Sequence, residues 1–216
     1  MKRRLMQIYQ ALYSVFGPQR WWPAESKFEV IVGAILTQNT SWQNVEKAIS
    51  NLKKEKVLSF QKLYKLKPGK LARLIKSAGY YNIKAKRLKD FLKFFFKKYQ
   101  ANINKLALVK TNKLRQELLL VNGIGPETAD SILLYALDKP VFVIDAYTKR
   151  IFSRHGFLKE KTSYEAVQNF FKQNLKKEVR LFNEYHALLV RLAKDFCLKT
   201  NPRCQACPLG SKRFYR

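Results

Sequence analysis

Along most of this chain, apolar residues recur at the three-and-four spacing of an amphipathic helix. Leu5, Ile8, Tyr9, Leu12, Val15 and Phe16 form such a stripe across residues 3–16, and Gly17-Pro18 ends it. Residues 26–37 are apolar almost throughout and are entered through Ser26. Their β-branched content would also fit a buried strand, but Gly33-Ala34 and a helical pattern continuing through Val45 and Ile49 favour helices. Further helical segments are predicted over 43–53, 59–65, 68–78, 83–99, 102–108, 111–120, 126–137, 145–154, 162–174 and 178–195, separated by short Gly, Pro, Asn or Lys-rich turns. Sustained period-two alternation is missing. The one strand-like stretch, Pro140 to Ile144, is short and runs straight into a helical pattern. The prediction is an all-α fold.

Composition narrows the class. Hydrophobic residues make up 47% of the 216 positions, with 15 Phe, 11 Tyr and 3 Trp, which excludes a disordered basic tail. No apolar run approaches the roughly 20 residues of a membrane span. The charged start Met1-Lys-Arg-Arg4 is followed by Gln7, Gln10 and Ser14, so the N-terminus reads as a first helix rather than a signal peptide. The 43 Lys and Arg against 15 Asp and Glu give a formal charge of +28. Charge of that size concerns partners rather than fold, and nucleic acid is the commonest compensating polyanion. A membrane-binding protein would concentrate its cations on one amphipathic helix, whereas here they run from Lys2 to Arg216.

Two stretches carry candidate chemistry. In Leu120-Val-Asn-Gly123-Ile124-Gly125-Pro126-Glu127-Thr-Ala-Asp130, two glycines flank one apolar residue between helical segments. Glycine tolerates a positive φ and lets backbone approach a ligand, Pro126 suits a first helical position, and loop amides beside a helix start suit a phosphate. A plain helix hairpin needs glycine to turn as well, and Ile124 would anchor it. Some 20 residues later, Val141-Phe-Val-Ile-Asp145-Ala-Tyr-Thr-Lys-Arg-Ile151 ends an aliphatic run on one of few acids. A carboxylate there is costly to desolvate unless bonded or functional. Asp145 also suits the N-cap of the next helix, and both roles are compatible.

The pattern L-x-x-x-G-I-G-x-x-T-A-D, followed by V-x-D-A-Y-x-x-R, resembles the helix-hairpin-helix DNA glycosylases of the endonuclease III superfamily. Ile35-Leu-Thr-Gln38-Asn39-Thr40 resembles the segment whose glutamine fills the hole left by an extruded base. Gly79-Tyr80-Tyr81-Asn82-Ile-Lys84-Ala-Lys86 resembles the loop that wedges into the duplex. The resemblance spans about residues 26–207. It implies an enzyme that flips a nucleotide out of double-stranded DNA and cuts the glycosidic bond, with Asp145 activating water or stabilising the oxocarbenium-like sugar. Members that also nick the strand carry a lysine on the hairpin's second helix. That position here is Glu127, which cannot form a Schiff base, so the resemblance implies a monofunctional enzyme unless a lysine such as Lys149 substitutes.

Trp21-Trp22-Pro23, Lys27-Phe28-Glu29, the Gln38 segment and Gly125-x-Glu127-Thr-Ala-Asp130 look most like the 3-methyladenine branch of the family. An alkylated purine is cationic, and aromatic faces hold a cation well. Trp22 and Trp42, with Trp21, are the candidate base-pocket walls, although Trp21 and Trp22 would equally pack the first helix onto the core. The alternatives are a glycosylase and lyase for oxidised pyrimidines, and a silent helix-hairpin-helix binding module.

All three cysteines fall in Cys197-x6-Cys204-x2-Cys207. In the family this array belongs to a 4Fe-4S cluster whose fourth ligand position is Arg213 here, so either the cluster survives on a non-protein ligand or the loop is held by packing. Absence of disulfide-like spacing points to a reducing cytoplasmic or nucleoid setting. Lys84, Lys86, Arg87, Lys199, Arg203, Lys212 and Arg213 are candidate phosphate contacts. The expected architecture is a subdomain over 26–139 holding the hairpin (about 113–137), and a second from 1–25 plus 140–216 with the cysteine loop 197–207, with a DNA-binding cleft between them. A monomer is expected.

Overall fold

A computed structural model describes residues 1–211 and 214. It contains α1 (Lys2–Phe16), α2 (Lys27–Leu36), α3 (Trp42–Lys54), α4 (Phe60–Lys65), α5 (Pro68–Leu74), α6 (Tyr81–Tyr99), α7 (Ile103–Leu108), α8 (Thr111–Leu119), α9 (Pro126–Ser131), α10 (Ala146–Arg154), α11 (Tyr164–Asn174) and α12 (Val179–Asp195). The fold is all-α, with no strand among the described residues. No helix there is long and apolar enough to cross a membrane.

The chain divides into two compact units, Ala24–Lys139 and a second made of Met1–Pro23 with the segment from Pro140 onward. The first is built around α2, where every residue from Glu29 to Leu36 is buried and all but Glu29 are apolar. Its residues Ile31, Val32, Ile35 and Leu36 are fully buried, each side chain contributing about 1.5–3 kcal/mol by leaving water. Ser26 caps this helix by accepting from the Glu29 amide at 3.1 Å. Glu29 in turn holds Lys53 of α3 at 2.9 Å. Around α2 pack α3, α6, α9 and the π-helical turn Ile132–Ala136 that continues α9. The segment predicted as one helix over 126–137 is therefore helical but changes pitch at Ile132. The predicted 68–78 helix likewise breaks at Ile75 into α5 and a 3-10 turn, Lys76–Ala78.

In the second unit, α12 buries Phe182, Tyr185, His186, Leu188, Leu189 and Leu192 and packs on α1 and α10. Tyr185 donates its hydroxyl to the Leu5 carbonyl at 2.8 Å. Val141–Ile144, at most 2% exposed, is an extended connector rather than a strand. Side chains serve its backbone: Gln168 donates to the Phe142 carbonyl at 2.8 Å, and the Ile144 amide donates to the Tyr164 hydroxyl at 3.3 Å. Phe142 stacks on Phe171 with ring centroids 4.0 Å apart. That buried connector delivers the chain to Asp145 in a fixed position.

Candidate functional site

Asp145 is the N-cap of α10, in extended backbone conformation. Its Oδ1 accepts from the Thr148 amide at 2.6 Å, and Oδ2 stands 3.4 Å from Nε2 of His186 on α12. Its side chain is only 10% exposed. Burial alone would raise the carboxyl pKa, but the His186 imidazole and the Thr148 amide outweigh it, so the pKa falls below the ordinary 3.8. The result is a buried, oriented carboxylate that stays charged. His186 is the partner of Asp145 that the sequence reading missed. The available signal was a lone histidine set among Phe182, Tyr185 and Leu189.

Lys149, one turn into α10, donates its ammonium to the Thr162 carbonyl at 2.9 Å. Trp21 and Trp22 lie half-buried in the same unit, edge to face with centroids 5.8 Å apart. Trp42, half-buried at the start of α3, belongs to the other unit.

The cysteine loop is held from α10. Arg150 donates to the Cys197 carbonyl at 2.9 Å, while Arg154 donates to the Leu198 and Lys199 carbonyls at 2.6 and 2.8 Å and to Cys197 Sγ at 3.4 Å. Cys197 is buried and Cys204 exposed. Burial raises the Cys207 thiol pKa, and the neighbouring Cys197 and Cys204 add to the rise. These residues do not fit a 4Fe-4S cluster. They offer three thiolates where four are usual, and no metal-holding group of His, Cys, Asp or Glu forms among the described residues. Arg213 and Lys212, named as the fourth ligand position and as phosphate contacts, lie outside the described residues.

In the other unit, three turns assemble. Gln38 donates its amide to the Gly123 carbonyl and the Thr128 hydroxyl, each at 2.9 Å, and its Oε1 accepts from Arg87. The glutamine is thus docked on the hairpin, and the half-buried Arg87, a candidate phosphate contact, also holds Gln38. Asn39 beside it is exposed with φ 51°. Tyr80 opens α6 with φ 44° and is 71% exposed; Tyr81 is half-buried and Asn82 exposed.

Lys84 corrects the sequence reading. It is 1% exposed, with its ammonium donating to the Leu36 carbonyl at 2.9 Å and the Ala78 carbonyl at 2.6 Å. A cation so enclosed cannot reach a phosphate. Burial, reinforced by Arg87, lowers its pKa to about 8. Ile124 is also buried, at 4%. Of the hairpin's two glycines, only Gly123 has positive φ, at 80°. Gly125 has φ −86° and open space where a β-carbon would sit, so neither turn geometry nor packing requires glycine there. Glu127 lies exposed in the first turn of α9.

Comparison with known proteins agrees with this geometry. Residues 32–177 match the model of the HhH-GPD superfamily of base excision DNA repair proteins. A Methanocaldococcus jannaschii protein designated a DNA repair glycosylase is 52% identical over 209 residues, covering 95% of this chain and 93% of that protein. Endonuclease III of Thermotoga maritima is 31% identical over 190 residues, 88% of this chain and 84% of that enzyme. The crystal structure of Helicobacter pylori 3-methyladenine DNA glycosylase bound to 1,N6-ethenoadenine superposes with a TM-score of 0.78 at 32% identity, covering 88% of this chain and 97% of the other.

Proposed function

We propose a specific reaction for this chain, which belongs to the HhH-GPD superfamily of base excision DNA repair proteins: hydrolytic removal of an alkylated purine such as 3-methyladenine from duplex DNA, without strand cleavage. The coarse activity, DNA glycosylase in base excision repair, follows from that membership. The observation that carries the finer reading is Asp145, buried and kept ionised by His186 and the Thr148 amide. A carboxylate with a depressed pKa is a poor proton acceptor. Its contribution is therefore electrostatic: it stabilises positive charge growing at C1′ while the base departs with the bonding electrons. Water then adds to C1′ and gives up its proton to solvent. A methylated purine is already cationic and leaves as a neutral base, so little acid catalysis is needed.

Glu127 supports the absence of a lyase step, because a carboxylate forms no Schiff base. Lys149 is tied to the Thr162 carbonyl. The likeness to the 3-methyladenine enzyme supports the choice of base. In this reading Trp21, Trp22 and Trp42 offer aromatic faces to the extruded base. Asn39, Tyr80, Tyr81, Asn82, Gly123 and Gly125 contact the duplex, and the protein works as a monomer in a reducing compartment beside DNA.

The test is a fluorescent duplex treated with a methylating agent, with one aliquot heated in alkali and another trapped with borohydride. Breaks only after alkali, with no adduct, are expected. Breaks without alkali, or a trapped adduct, would overturn the monofunctional reading. Cleavage confined to duplexes carrying oxidised pyrimidines or uracil would overturn the choice of base.

A further inference from the structure

We propose that Lys84 is a positioning residue that sets the spacing between the Gln38–Asn39 turn and the Gly79–Tyr80 turn, so that both meet a duplex in one fixed register. The inference rests on the reading of those turns as DNA-facing. Lys84 lies in the first turn of α6, fully enclosed. Its two acceptors are the last carbonyls of separate helical segments: Leu36 ends α2, and Ala78 ends the 3-10 turn. Helix C-termini concentrate partial negative charge and leave carbonyls without helical donors. One ammonium therefore ties together two chain ends that are 42 residues apart in sequence, from Leu36 to Ala78.

A residue in left-handed backbone follows each tied carbonyl, Asn39 three residues after Leu36 at φ 51° and Tyr80 two residues after Ala78 at φ 44°. Non-glycine residues stay in that region only where the surroundings over-determine them. One helical turn further along α6, Arg87 grips Gln38, which also holds the hairpin at Gly123 and Thr128. The early turns of α6 thus chain three turns into one body. At the free end of that body stand Tyr80 and Ile83, 71% and 52% exposed.

Cost separates this role from simple core filling. Burying a cation against carbonyls alone is expensive, and a methionine of similar length would fill the same space without that penalty. Removing the ammonium takes the donor from the Leu36 and Ala78 carbonyls, so the loss falls at the two turns rather than across the core. The lowered pKa of Lys84, about 8, reflects the expense of burial.

The experiment uses the full chain with Lys84→Met, read by thermal melting, by amide hydrogen exchange and by affinity for a duplex carrying an abasic analogue. The expected outcome is a modestly lower melting temperature, because two enclosed carbonyls lose their donor, faster exchange confined to residues 37–41 and 79–82, and affinity weaker by about tenfold, equivalent to about 1.4 kcal/mol. Unchanged exchange and affinity in a folded K84M would overturn the proposal, as would faster exchange spread over the whole core with a lower melting temperature. Should K84M fail to fold, Lys84→Arg takes its place: its longer arm must loosen the same two turns, and wild-type exchange there overturns the proposal. Tyr80→Ala tests the underlying reading separately. If Y80A binds duplex like wild type, the DNA-facing assignment fails, while the exchange arm still decides whether Lys84 sets the spacing.

Discussion

Arg87 lies directly over Gly123: a β-carbon at position 123 would come within 2.3 Å of Arg87 Cγ and 2.5 Å of its Cδ. The same guanidinium donates to Gln38 Oε1, and the Gln38 amide returns to the Gly123 carbonyl. The glycine thus serves the hairpin turn and leaves room for the side chain that holds the neighbouring glutamine. Gly123→Ala combines a left-handed backbone penalty of about 1–2 kcal/mol with displacement of Arg87. A fall in melting temperature of roughly 2–8 °C is expected for a chain of this length, with faster exchange at Gln38. A variant that melts with wild type would show that Arg87 moves aside freely.

Gly125 makes the opposite prediction. Its φ of −86° suits any residue, and its β-carbon position is open. Gly125→Ala should leave stability unchanged and, on the proposed reading of this turn as a phosphate contact, lower duplex affinity. Titration of labelled duplex alongside a urea melt checks both halves. Unchanged affinity would remove Gly125 from the DNA-contacting set.

The hairpin's two helices are also pinned by charge. Arg115 of α8 meets the fully buried Asp130 of α9 with a bidentate pair at 2.7 and 3.1 Å. Removing one partner leaves the other without its counter-charge in the interior, a loss of about 3–5 kcal/mol. Arg115→Ala, which leaves the fully buried Asp130 carboxylate behind, should show that loss in urea unfolding. A cost under about 1 kcal/mol would mean that the pair behaves like a surface bridge.

Much of this was legible in the sequence, for a physical reason. Helical spacing is a local property, so the apolar stripes of α1, α3 and α12 located those helices to within a few residues. Asp145 stood out because an acid ending an aliphatic run is costly unless it is used. What escaped were decisions made by distant acceptors. Lys84 reads as one more cation on a basic helix face, and only the Leu36 and Ala78 carbonyls, delivered by separate segments, bury it. His186 reads as a helix-face residue until α10 brings Asp145 to it. Gly123 and Gly125 are identical letters whose different φ angles arise from the turn as a whole.

Asp145 carries the final prediction, with its sign set by the depressed pKa. The carboxylate is more easily ionised in the folded protein than in the unfolded chain, where it titrates near 3.8. Its ionised form therefore favours the fold above that value, and the benefit is lost only as pH falls through the lower folded value. Between neutral pH and about 4, neither stability nor excision should decline because of this group. Burial pushes its pKa upward while His186 and Thr148 pull it down, so removing the imidazole raises it. His186→Ala should move the acidic limb of the single-turnover excision profile to higher pH, without altering duplex affinity at neutral pH. Asp145→Asn should cut excision by about 10²–10⁴ at every pH and keep wild-type affinity. An Asp145→Asn enzyme that still excises would show that the charge at this position is not what stabilises the departing base, and an unmoved acidic limb in His186→Ala would show that the imidazole does not govern it.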